Sequence, residues 1–181
     1  MPGETDITTD PDTGLPTGLP TGLPGDERPR TRDDVLPEGA RECFACGDDN
    51  PIGLRLDDIR REGDEVHATL RPRTQYQSYP GTLHGGISAT ALDEVMGWSA
   101  ILLADVWAAT ATMDLRYRKQ VPLDVPLRLV AGLKEARPRR LRAWARLELP
   151  DGSVAVEATG LLVALPEPMA ARARALYGPL V

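Results

Sequence analysis

A chain of 181 residues with formal charge −6, two cysteines and only 4% aromatic residues is long enough for one domain with a buried core. The composition excludes a disulfide-stapled framework, and so few aromatics argue against a base-stacking nucleic-acid platform. The acidity is local. Residues 1–34 hold eight acids against three arginines, which leaves the remainder close to neutral.

In chain order, residues 1–38 read as a disordered tail. Thr-Gly-Leu-Pro recurs three times in tandem from Thr13 to Pro24, between runs rich in Asp, Thr and Pro. Such a segment buries too little apolar surface to offset its ordering entropy. The acidic start lacks an apolar run, so no signal peptide is expected and the expected location is cytoplasmic. One folded domain over 39–166 and a short helix with tail over 167–181 complete the expected organisation.

From Gly53 the pattern is that of strands. Leu54 and Leu56, then Val66, Ala68 and Leu70, alternate with polar residues, and Glu62-Gly63-Asp64 supplies the turn between them. Residues 87–104 form a helix that is small or apolar on nearly every face, which implies burial on most sides. Its one blemish is the pair Asp93-Glu94, and that pair argues against a membrane span. Beyond it, Ala111, Met113, Leu115 and Tyr117 are expected on one face of a strand, with Thr110, Thr112, Asp114 and Arg116 on the other. Three more alternating runs follow, over residues 127–133, 141–149 and 154–165, joined by short Pro- and Gly-bearing turns.

Short connections mean antiparallel neighbours, which excludes a doubly wound nucleotide fold. One long buried helix and one antiparallel sheet are reconciled when the sheet wraps around the helix. The expected class is therefore α+β, in the hotdog arrangement.

Three separated pieces carry a resemblance. They are the leader from Cys43 to Leu54 (Cys-Phe-Ala-Cys-Gly-Asp-Asp-Asn-Pro-Ile-Gly-Leu), the turn Gly81-Thr82-Leu83-His84-Gly85-Gly86 with an acid nine residues after the histidine, and the run from Thr110 to Pro122. Over about residues 41–165 the chain resembles hotdog-fold acyl-CoA thioesterases of the phenylacetate-pathway (PaaI-like) type. The resemblance implies hydrolysis of an acyl-CoA thioester to free acid and coenzyme A. It also implies a homodimer, or a dimer of dimers such as a homotetramer, with sites at the subunit interface. The alternatives are a hotdog module that binds acyl-CoA without turnover, and a hotdog lyase or dehydratase.

Asp93 is the leading candidate. An ionised carboxylate in an apolar helix is costly unless paired, which suits a general base or a nucleophile, and the family's catalytic acid falls on this position. Glu94 lies about 100° round the helix, where the family pattern places no catalytic group. Gly85 and Gly86 leave N–H groups unblocked at the positive helix end, where a thioester oxygen would be polarised. His84 is nine residues from Asp93, about 13 Å of helix, so the two cannot touch within one chain and the histidine is expected to position the turn. By the same arithmetic, the donors and Asp93 share a substrate only if two chains contribute.

The resemblance places a supporting hydroxyl at Thr110. Ser78, beside Gln77, stands where some relatives carry a water-holding amide. The interval 116–146 holds ten basic residues against two acids, and Arg116, Arg118 and Lys119 are the candidates for the coenzyme A phosphates. Cys43-x2-Cys46 is half of a tetrahedral zinc site. With no second cysteine pair, it reads as a compact turn with no metal and no cofactor. Neither a nucleic acid nor a membrane partner is expected.

Overall fold

The computed structural model describes residues 31–35 and 42–177. The Thr-Gly-Leu-Pro repeats lie outside the described residues. Six strands form one antiparallel sheet: β1 (Asp57–Glu62), β2 (Glu65–Leu70), β3 (Ala108–Tyr117), β4 (Leu127–Arg137), β5 (Arg140–Glu148) and β6 (Val154–Ala164). Their spatial order is β1-β2-β4-β5-β6-β3. Two helices accompany them, α1 (Gly85–Ala104) and α2 (Glu167–Tyr177). The element sequence is the expected one of two strands, a long helix, four strands and a closing helix. Leu54 and Leu56 differ from expectation: they precede β1 and pair instead with the leader, Leu54 N–H donating to Phe44 O (2.7 Å) and Leu56 N–H to Ala45 O (2.9 Å).

Helix α1 is the hub of the core. Ala91, Leu92, Val95, Met96 and Ala100 are fully enclosed, facing Leu129, Ala131, Leu141, Leu147 and Val156 of the sheet among others. A helix packed on so much of its circumference needs no polar face, which accounts for an apolar run broken only by Asp93-Glu94 and a few small hydroxyl residues. The helix ends at Asp105, whose left-handed conformation (φ 54°) closes the terminus. Asp105 N–H donates to Ile101 O at 3.2 Å and Val106 N–H to Ala100 O at 3.0 Å, which closes the last turn onto two of its carbonyls.

Part of the expected tail is folded. Val35 is buried, Thr31 bridges to Arg60, and the Arg32 guanidinium donates to Cys46 O (2.7 Å) and pairs with Asp48 Oδ2 (3.0 Å). Composition over 38 residues hides this short anchor, because one arginine and one valine do the work within an otherwise polar stretch.

Strand β3 forms the edge of the sheet and contains an irregularity that decides the site. Its register against β6 shifts between Thr110 and Thr112. Thr110 pairs with Leu162, and beyond the shift Met113 pairs with Gly160 and Leu115 with Ala158. Strict alternation would set Thr110 on the face opposite Met113 and Leu115. The extra residue of the bulge instead brings Thr110 onto their face, toward α1. The expected face assignment of Thr110 is thereby corrected. Gly160 makes room for this: a Cβ there would lie 2.9 Å from the Thr112 carbonyl oxygen and 3.3 Å from Met96 Cε.

Candidate active site

The turn before α1 is held by its own side chains. Gln77 Oε1 accepts from Gly81 N–H (2.9 Å), while Ser78 N–H and Oγ both donate to Thr82 O (2.9 and 3.4 Å). Ser78 therefore closes its loop, and no contact joins it to Asp93. His84 is the N-cap of the helix, its Nδ1 accepting from Gly86 N–H at 2.9 Å. A carbonyl oxygen drawn to Gly86 would compete with that imidazole. The Gly85 N–H has no hydrogen-bond partner among the described residues.

Strand β3 runs antiparallel beside α1 and touches it at both candidate positions. At one end Tyr117 Oη donates to Gly85 O (3.0 Å), and its ring would lie 3.3 Å from a Cβ placed on Gly85. At the other end Thr110 Oγ1 donates to Asp93 Oδ1 at 2.7 Å. Asp93 is partly buried, and Thr110 is exposed. The structure thus brings Asp93 and Thr110 together and leaves the helix start, with Gly85, Gly86 and His84, about 12 Å away along the helix axis. Tyr117 was expected only as an apolar face residue. Its hydroxyl and its contact with the glycine turn gave no signal in the sequence.

Arg116, Arg118 and Lys119 lie at the far end of β3 and just beyond it, all exposed. Arg118 is held by Glu157 (2.5 Å). Arg116 also borders a surface depression of about 590 Å³ on the sheet face away from α1, together with Lys134, Trp144, Arg146 and Glu157. That depression is separated from Asp93 by the thickness of the sheet.

Glu94 has a more elaborate setting than expected. Its Oε1 accepts from Trp98 Nε1 (2.9 Å), and Cys43 Sγ lies 3.7 and 3.8 Å from its two carboxylate oxygens. Burial pushes the Glu94 carboxyl up to about 7, with the neighbouring Cys43 charge adding to the effect. Hydrogen bonding from Cys46, opposed by burial and helped by backbone N–H groups, draws Cys43 down to about 5. That same hydrogen bond, together with burial, pushes the Cys46 thiol up.

No protein-family model matches the sequence, and no curated protein matches it. Solved structures do. One described as a thioesterase superfamily protein is 31% identical, with a TM-score of 0.63 over 68% of this chain and 60% of that one. This chain accordingly spans less than two thirds of that protein's length. The Escherichia coli PaaI protein from the phenylacetic acid degradation operon is 12% identical, TM-score 0.58, covering 62% of this chain and 81% of that one. A Streptococcus mutans protein solved bound to acetyl CoA is 19% identical, TM-score 0.57, covering 61% and 88%. A six-stranded antiparallel sheet wrapped on one long helix, shared with these proteins, makes the chain a hotdog-fold protein that resembles the thioesterase superfamily.

Proposed function

We propose that the protein hydrolyses an acyl-CoA thioester, with Asp93 as the group that activates water or attacks the carbonyl. The observation that carries this reading is the Thr110–Asp93 hydrogen bond of 2.7 Å, made on the exposed edge strand and beside an otherwise apolar helix. One carboxylate oxygen is held in place by the hydroxyl, and the other can take a proton from water. The resulting hydroxide adds to the thioester carbon. The oxyanion collapses to break the C–S bond, and the proton held by Asp93 goes to the departing thiolate. Oxyanion stabilisation falls chiefly to Gly85 N–H, because Gly86 N–H already serves His84.

Donor and carboxylate lie too far apart on one helix to reach the same carbon, so the working unit is a two-fold dimer across the β3 edge. Its sites would each pair Asp93 of one chain with the glycine turn of the other. Thioesterase-superfamily resemblance and the acetyl CoA bound to the S. mutans neighbour support this substrate class. Arg116, Arg118 and Lys119 are assigned to the coenzyme A phosphates on charge and position near Tyr117.

The test is thiol release from acetyl, hexanoyl, palmitoyl, benzoyl and phenylacetyl CoA by wild type and Asp93→Asn. Hydrolysis of at least one ester that falls by roughly 10² to 10⁴-fold in the folded variant is expected. Binding of these esters without turnover by wild type would replace this reading with an acyl-CoA-binding module.

A further inference from the structure

The second acid of α1 and the leader motif form a cluster that thioester hydrolysis does not use. Cys43, Cys46 and Glu94 each present one ligand atom, and these atoms all lie within 4.8 Å of one another. The turn that carries the cysteines is tightly built. Gly47 N–H donates to Cys43 O (2.9 Å), and the backbone N–H groups of Ala45 and Cys46 are aimed at Cys43 Sγ. Such donors stabilise thiolate charge at the first sulfur of a Cys-x2-Cys turn.

From these contacts we propose that Cys43, Cys46 and Glu94 bind a divalent ion of the zinc class. The geometry is close to a tetrahedral edge. Zinc–sulfur and zinc–oxygen bonds of about 2.3 and 2.0 Å set sulfur and oxygen about 3.5 Å apart. Cys43 Sγ and the Glu94 oxygens are 3.7 and 3.8 Å apart. Two thiolates and one carboxylate select a borderline-soft cation over magnesium or calcium. The outer shell fits as well, because Trp98, one turn along the helix, donates to Glu94 Oε1 and leaves Oε2 to coordinate. Three protein ligands leave the fourth position to solvent.

Bound there, the ion pins the leader to α1 at the residue next to Asp93. Arg32 grips the same turn from the other side through Cys46 O. The ion acts as a clamp that positions the leader and touches no substrate.

The full chain, stripped with chelator under reducing conditions, should be titrated with cobalt(II) and then zinc(II). About one equivalent of cobalt per chain should bind, with a thiolate-to-cobalt charge-transfer band and tetrahedral d–d absorption that zinc abolishes. Zinc should raise the melting temperature. Glu94→Gln should weaken cobalt binding by more than the roughly 10–100-fold that loss of an outer-shell partner costs, and Trp98→Phe by about that amount. A folded wild type with no charge-transfer band overturns the proposal. So does a Glu94→Gln variant with unchanged affinity, or a protein with both thiols titrating as free that takes up no metal. The wild-type titration alone decides the matter if a variant does not fold.

Discussion

Thr110 occupies one oxygen of Asp93, and the consequence for catalysis can be weighed. Thr110→Ala should lower kcat by about tenfold, the worth of one hydrogen bond to a charged group, while Thr110→Ser should retain most activity. Equal losses in both variants would mean that the methyl group, by packing, matters more than the hydroxyl. Gly85 is sensitive for a different reason. A methyl group there meets Tyr117 at 3.3 Å, so Gly85→Ala should shift the ring and the turn together and cut kcat while leaving the fold intact. Tyr117→Phe, which keeps the ring and drops the bond to Gly85 O, separates the two effects in the same thiol-release assay.

Among the elements, β3 shows most clearly what pattern reading reaches. Alternation of apolar and polar residues located five of the six strands and set the first too early, at Leu54 and Leu56, which pair with Phe44 and Ala45 ahead of β1. The bulge was invisible, since one added residue inverts the parity of everything before it without altering composition. The room for it lies 50 residues away, at Gly160, where the lack of a Cβ lets the Thr112 carbonyl approach. Gly160→Ala should cost about 1–3 kcal/mol by overpacking against Thr112 O, read by thermal or denaturant unfolding. It should also depress activity beyond the stability loss, because straightening the bulge turns Thr110 away from Asp93. The leader was legible as a motif and not as a partner of α1. Glu94 is separated from Cys43 by 51 positions, and no spacing rule connects a loop cysteine with a carboxylate on the far element.

At the scale of the molecule, the short anchor at Arg32 ties residues far ahead of β1 to the leader turn. Arg32→Ala removes bonds to Cys46 O and Asp48 from a guanidinium whose side chain is only 11% exposed. It should destabilise the protein by about 1–3 kcal/mol, seen as a lower denaturant midpoint with little change in slope. An unchanged midpoint would show the anchor to be an incidental contact.

The separation of about 12 Å between the helix start and Asp93 carries a genetic consequence. On the proposed pairing, two crippled proteins can repair one another. Asp93→Ala and a Gly85 variant, each nearly inactive alone, form mixed dimers in which one site inherits both lesions and the other inherits none. Random reassortment of equal amounts should restore about a quarter of wild-type turnover, since half the dimers are mixed and half their sites are whole. A protein that kept its reacting groups within one chain would show no such rescue.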